Sequence, residues 1–195
     1  MILRMQLLDA DYFLNINKPV VRLFGRAEDG DAVCVFCDSL QPYFYIKPNA
    51  SMKAGEVLDM LDGVKEIKDI QEVQMFVPRG YQQAKTKMLK ITLSNPQDVP
   101  RIREKLSSIG VAEEIFEADI MFKYRFMIDN AIYGMQWLEI ECTKTQKTVK
   151  SKVTTYAAKS VAPIDRNENV GLRYMAFDIE CVPTDARRPL DARTD

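Results

Sequence analysis

Apolar residues recur along this chain with two different periods. Through the opening 40 residues the period is two: "KPVVRLFGR" and "DAVCVFC" flank "AEDGD", whose Asp29-Gly30 pair is a hairpin signal. "QPYFYIKP" then reads as an aromatic strand bounded by Pro42 and Pro48, with Tyr43 and Tyr45 on one face. From Ser51 the period lengthens. "SMKAGEVLDMLDG" predicts a helix opened by Ser51 and closed by Gly63, with Val57, Leu58 and Leu61 on one side. "VKEIKDIQEVQMF" is rich in β-branched residues and reads as a strand or, alternatively, a helix. "AKTKMLKITLS" reads as a strand in which Met88 and Lys90 face away from Leu89 and Ile91.

"NPQDVPRIREKLSSIG" predicts a second helix. Asp98 is its N-cap, Pro100 takes an early position, Val99, Ile102, Leu106 and Ile109 form the stripe, and Gly110 ends it. "VAEEIFEADIMF" closes the set as a strand. From Gln41 to Phe122 the order is β-α-β-β-α-β, the ferredoxin-like (split βαβ) arrangement shared with RNA-recognition modules. That topology assigns no function. "MLKITLS" also lacks the glycine-aromatic motif with which RNA-recognition strands stack bases.

Beyond Phe122 the character changes. "KYRFMIDNAIYGMQWLEIEC" carries the single tryptophan, Trp137, and between Cys142 and Ile164 there is no acid while Lys144, Lys147, Lys150, Lys152 and Lys159 accumulate. If "KTVKSKVTTYAA" is extended, Lys150, Lys152, Thr154 and Tyr156 share a face. Such a face suits a nucleic-acid backbone and a stacking base, or it is a solvated strand face. "APIDRNENVG", polar and holding Pro163 and Gly171, predicts a linker ahead of "LRYMAFDIECV". The expected fold is α+β: a β-rich N-terminal segment, the βαββαβ unit, and a further strand. The expected division is 1–130, a connecting segment with the basic strand at 131–170, and a second domain starting at 171–195.

Composition removes several chemistries. With 27 basic and 28 acidic residues in 195, the formal charge is −1, unlike a generally basic nucleic-acid coat, although a local basic patch is compatible with it. "MILRMQLLDADYFL" is not a signal peptide, and no stretch approaches the ~18 apolar residues of a membrane helix. The expectation is a soluble, cytoplasmic protein with no membrane partner. Histidine is absent, which excludes Ser-His-Asp and Cys-His catalysis and imidazole-bound zinc. Cys34 and Cys37 have CxxC spacing, but on a strand they face opposite sides and no second CxxC exists, so they read as structural.

Asp178 and Glu180 in "YMAFDIEC" are the chemical anomaly. At strand spacing both carboxylates point one way, while Phe177, Ile179 and Cys181 point the other. Paired carboxylates repel and lose hydration inside a protein. A divalent cation resolves both costs, and oxygen-only ligation favours Mg²⁺ or Mn²⁺. Two such ions about 3.5–4 Å apart support phosphodiester hydrolysis. The alternative is a strand with one wet face, on which this spacing is ordinary.

"AFDIEC" resembles the first exonuclease motif of B-family DNA polymerases. Archaeal members are similar at "DADYFLNINKPVVRLFGR", "LQPYFYIKP", "NPQDVPRIREKL" and "EEIFEADIMFKYRFMID". "RFMIDNAIYGMQWLEI", "APID" and "FDIEC" resemble the eukaryotic delta-type replicative enzymes. The resemblance runs in order through most of residues 1–181. It implies that Asp178 and Glu180 are catalytic metal ligands opening an RNase H-like 3′–5′ exonuclease domain that binds two Mg²⁺ or Mn²⁺ ions. The other ligands, the catalytic tyrosine and the polymerase palm belong to later motifs. The chain is therefore expected to be an N-terminal piece of a longer polymerase, inactive alone. The implied partners are single-stranded template DNA, primer-template DNA, the rest of the polymerase chain and a sliding clamp. The implied location is intracellular and nucleoid-associated.

The archaeal branch implies a second site. Those enzymes stall when template uracil enters an N-terminal pocket. By matching motifs, its residues fall on Tyr12, Pro42, Tyr43, Pro96, Val99, Ile120, Phe122 and Arg125. A snug wall of Tyr43, Val99 and Phe122 would reject the C5 methyl of thymine, and backbone near Ile120 would read the base edge. Arg125 would hold a phosphate or brace the wall. Where hyperthermophile enzymes typically carry proline, this chain has Met121, which gives up a fixed backbone angle. Three function classes follow: a uracil-capturing polymerase fragment, the same scaffold without that pocket, and a free-standing metal-dependent nuclease. Missing later metal ligands weigh against the last.

Overall fold

The computed structural model describes residues 1–77 and 80–179. Its elements, in chain order, begin with β1 (Ile2–Asn15), β2 (Lys18–Ala27) and β3 (Ala32–Cys37). There follow β4 (Tyr43–Pro48), α1 (Ala54–Asp62), β5 (Ile67–Met75), β6 (Thr86–Leu93), α2 (Val99–Ser108) and β7 (Ala112–Phe116). The chain then forms α3 (Phe122–Asp129), β8 (Trp137–Lys144) and β9 (Thr154–Ile164). Among the described residues the strands make two sheets: a closed barrel in the order β1-β2-β3-β9-β8 and a four-stranded sheet in the order β5-β6-β4-β7. The second sheet, with α1 and α2, is inserted in the chain between β3 and β8 of the first. The fold is mixed α+β and strand-rich.

The barrel is built by alternation. Met5, Leu7, Val21, Leu23, Val33, Val35, Leu138 and Ile140 all enter one buried core, and Phe122 and Phe126 of α3 pack into it. β1 shifts register between Leu7 and Asp9. Beside that bulge, a Cβ on Gly25 would stand 2.2 Å from the Gln6 carbonyl oxygen, so only glycine allows the strands to approach this closely. The Asp29-Gly30 turn forms as expected. Gly30 takes φ +86°, and the Asp29 carboxylate accepts a hydrogen bond from the Asp31 amide.

The second core lies beneath one face of the four-stranded sheet. Phe44, Ile46, Leu89, Ile91 and Leu93 meet Val57 and Leu61 of α1 and Ile102 and Leu106 of α2 there. Leu58, expected on the buried stripe of α1, is 45% exposed, because that stripe follows Val57 and Leu61 alone. α1 starts at Ala54 after Lys53, later than the expected Ser51. Asp98 precedes α2 without a side-chain cap bond. Asn95 instead caps the short 3₁₀ turn Pro96–Asp98 by accepting from the Gln97 amide, which leaves the Asp98 carboxylate 3.2 Å from Arg101.

Residues 112–122 do not form one strand. β7 ends at Phe116, Glu117 adopts φ +61°, and the chain turns into α3 at Phe122. A left-handed residue cannot continue a strand, and nothing in the alternation of "EIFEADIMF" announces it. The segment 131–170 is likewise no separate connector, because β8 and β9 close the barrel through long-range pairing, β8 on β1 and β9 on β3. The polar stretch after β9 is docked on the barrel as well. Buried Gln6 donates to Asn169 Oδ1 and accepts from the Val170 amide, and Trp137 Nε1 donates to the Glu168 carbonyl. Arg166 lies 4.1 Å over the Trp137 ring and pairs with Glu28.

Candidate functional site

One cavity of about 500 Å³ lies where the barrel meets the inserted sheet. Tyr12, Pro42, Tyr43, Pro96, Val99, Ile120, Phe122 and Arg125 all line it, so segments far apart in sequence converge on one space. Tyr12 arrives on β1, Pro42 and Tyr43 at the start of β4, Pro96 and Val99 at the start of α2. Ile120 comes from the turn before α3, and Phe122 and Arg125 from α3 itself. The Tyr12 and Phe122 rings meet edge to face at 5.4 Å.

Tyr43 is fixed from several sides. Its hydroxyl donates to the Asp129 carboxylate at 2.8 Å and accepts from Arg125 at 3.3 Å. Arg125 lies 4.6 Å from its ring centroid and Lys90 Nζ 3.9 Å. Burial, reinforced by the bond to Asp129, pushes the phenol well above its ordinary pKa, so Tyr43 stays protonated.

Arg125 is the brace. Its side chain is 6% exposed, and its guanidinium lies 2.6 Å from Glu117 and 3.6 Å from Asp129. Burial opposes its charge, but the hydrogen bond to Glu117 and the negative charges of Glu117 and Asp129 outweigh that and raise its pKa. Its Nε is buried with no hydrogen-bond partner among the described residues. A guanidinium this enclosed holds the wall in place, whereas a phosphate would need it exposed. Glu117 and Asp129 were not foreseen from sequence. The one available signal was the Arg125/Asp129 spacing on a helix, and the positive φ that aims Glu117 had none.

Met121 has backbone angles that a proline would also adopt, φ −59° and ψ 140°, and its carbonyl accepts from the Tyr124 and Arg125 amides.

The carboxylate motif is organised differently. Asp178 lies in irregular, exposed backbone, where its own Oδ1 accepts from the Ile179 amide. Phe177 and Ile179, expected to enter a core, are 77% and 72% exposed. Residues 174–179 are therefore not the expected strand, for no neighbouring strand among the described residues pairs with them. Glu180 and Cys181 lie outside the described residues. Among the described residues no group of three or more His, Cys, Asp or Glu is placed to hold a metal ion.

Lys150 and Lys152 do not share a strand face with Tyr156. They are exposed in the irregular segment before β9, where alternation does not apply, while Tyr156 packs against the barrel core. Cys34 and Cys37 do face opposite sides: Cys37 enters the barrel core, and Cys34 a small outer cluster. Among the described residues no helix is long and apolar enough to cross a membrane.

A closed barrel and an inserted α/β sheet meet at this braced cavity. The comparisons with known proteins are specific. The family described as "DNA polymerase family B, exonuclease domain" matches residues 113–192. DNA polymerase 2 of Aeropyrum pernix is 32% identical over 188 residues, covering 92% of this chain and 23% of that protein. The DNA polymerase delta catalytic subunit of Arabidopsis thaliana is 27% identical, covering 84% of this chain and 18% of its own length. The solved structure of the family B DNA polymerase from Pyrobaculum calidifontis superposes with a TM-score of 0.73 at 26% identity, over 87% of this chain and 21% of that one. This chain belongs to the family B DNA polymerases and corresponds to their N-terminal region. It spans about a fifth of the length of these relatives.

Proposed function

We propose that the chain is the template-handling N-terminal part of a DNA-directed DNA polymerase with 3′–5′ proofreading, and that its cavity captures uracil in single-stranded template. One observation carries this reading: eight residues carried over from the archaeal polymerases by motif, from separate segments, line a single cavity. A base enters more easily from a single strand, where it need not leave a duplex. Tyr43, immobilised between Arg125 and Lys90, and Val99 at the start of α2 form a wall that is rigid on the side where thymine carries its methyl. Exclusion of one methyl is worth about 1–3 kcal/mol, or up to about 200-fold. The backbone of the 117–121 turn supplies the polar groups that read the base edge.

The inserted unit reads as ferredoxin-like, supported by its β-α-β-β-α-β order and by a sheet in which the first and third strands are central. Asp178 and Glu180 read as part of an exonuclease centre using Mg²⁺ or Mn²⁺, supported by the family match over 113–192. The metal would supply charge neutralisation and activated water, and no step is assigned to this chain. The rest of the polymerase chain, primer-template DNA and a sliding clamp are the partners this reading implies.

The test is binding of single-stranded oligonucleotides that differ only in one uracil or thymine. Preference for uracil that disappears in Val99→Gln, whose longer side chain fills the cavity, supports the proposal. Equal affinity for both strands contradicts it and leaves a scaffold that contacts only backbone, a role the similarity to the delta subunit also suits.

A further inference from the structure

We infer that the outer face of β2 and β3, roofed by the 145–153 loop, is the track along which a single-stranded nucleic acid approaches the cavity. This rests on the proposed function and adds the path to the pocket.

Topology gives the first argument. β1, β2 and β3 run antiparallel, β9 joins β3 in parallel, and β8 closes the circle onto β1. α3 precedes β8 and packs into the barrel core. That is the Greek-key connectivity of an OB barrel, which takes oligonucleotides on the face of its second and third strands, between the loop joining strands one and two and the loop joining four and five. Here those are β2 and β3, the Ile16–Asn17 turn and residues 145–153. Fold alone would not assign a ligand, so the side chains must carry the rest.

They do so in two ways. Arg22 on β2 lies 5.1 Å from the Phe13 ring and 5.5 Å from the Phe24 ring, giving a half-exposed ledge of two rings and a guanidinium. Unpaired bases stack on such ledges, whereas a duplex keeps its base faces covered. Above the ledge, the end of β8 presents Lys144 and the loop presents Lys147, Lys150 and Lys152, all exposed. Among the described residues none of these four takes part in an ion pair, and residues 143–163 contain no acid. Asp11 is engaged by Arg22 of the ledge itself, and Asp38, just after β3, by Lys18.

The loop is built rather than loose. Thr155 Oγ1 donates to the carbonyls of Thr145 and Lys147, at 3.0 and 2.7 Å. Val149 and Val153 pack on the outer cluster of Val20, Cys34 and Phe36, and Lys147 Nζ sits 5.3 Å over the Phe36 ring. The turn opposite is strained and open: Ile16, with φ +47°, is 94% exposed. Continuity with the cavity comes from Asp11, which Arg22 grips through both carboxylate oxygens and which also lines the cavity. The ledge thus ends at the pocket mouth.

Fluorescence anisotropy with a uracil-free oligo(dT) of about 12 nucleotides, within the span of one OB barrel, tests the track. The double variant Lys150→Glu/Lys152→Glu is expected to weaken binding at least tenfold. It should also flatten the slope of log K against log salt by about 1.4, since each phosphate neutralised on a single strand contributes about 0.7. Phe24→Leu is expected to weaken binding about tenfold with the slope unchanged, as loss of one stacking ring would. The charge-matched control Lys65→Glu/Lys68→Glu, on the inserted sheet, should change neither. Unaltered oligo(dT) affinity in Lys150→Glu/Lys152→Glu, or equal binding of a duplex of the same length, overturns the track. Failure of the pocket registers separately, as a uracil-to-thymine affinity ratio of one in a protein that still loses oligo(dT) on charge reversal.

Discussion

Tyr43 and Asp178 stand in surroundings that differ in almost every physical respect. Tyr43 is held by an acceptor, a buried guanidinium and an ammonium, on a strand whose neighbours belong to a packed core. Asp178 has irregular backbone, solvent around it and a bond only to the next amide. Both were marked by short motifs of a similar kind. The difference lies in where the partners are. The pocket draws on β1, β4, the entry to α2 and the turn into α3, all among the described residues. A carboxylate centre needs further ligands to offset the repulsion that Asp178 and Glu180 create together, and no such cluster occurs among the described residues.

The sharpest way to break this contrast is through Arg125. Arg125→Met should destabilise the protein by about 2–3 kcal/mol, because Glu117 and Asp129 would keep their charges in a half-buried setting without a counter-ion. Urea denaturation reads this directly, and a change below about 0.5 kcal/mol would show the brace is dispensable.

Alkaline pH gives a smaller effect. Burial pushes Cys34 from the ordinary 9.0 to about 11, and Cys37 to about 12. Unfolded thiols therefore lose their protons first. Stability is fully present below pH 9 and falls as pH rises, up to about 11 for Cys34 and about 12 for Cys37, by up to about 1.4 kcal/mol per pH unit for each thiol. Cys34→Ala/Cys37→Ala should flatten that decline, and an unchanged slope would assign it elsewhere.

Met121→Pro should be smaller again and favourable, about 0.4–1 kcal/mol, since φ −59° already suits proline and the gain comes from restricting the unfolded chain. A loss in the same denaturation experiment would mean the Met121 amide makes a needed bond. Least of all, Asp178→Ala should shift stability by under about 0.5 kcal/mol, as expected for an exposed side chain with only a local contact.

How much was legible follows from the range of each interaction. The Asp29-Gly30 turn, the α2 stripe through Val99, Ile102 and Leu106, and the opposed cysteines depend on near neighbours and appear as read, whereas Ile109, expected on that stripe, falls at the helix C-cap and is 38% exposed. The closure of the barrel does not, because pairing of β9 with β3 in parallel joins residues more than 100 positions apart with no local signature. For the same reason Tyr156 was placed on an outer face, when its pairing opposite Val35 turns it to the barrel core. α3 was hidden by a single backbone angle at Glu117. The cavity was reached by resemblance, residue by residue. Its bracing pair, Glu117 with Arg125, came only from the fold.

The central claim is that the cavity takes a base and measures its C5 position. Methyl NMR on Val99 and Ile120 during titration with uracil-containing and thymine-containing single strands addresses it most directly. Saturable shifts of both methyls with the uracil strand, absent with the thymine strand at the same concentration, are the predicted result. Identical shifts with both strands, or none with either while the strands bind, would contradict it.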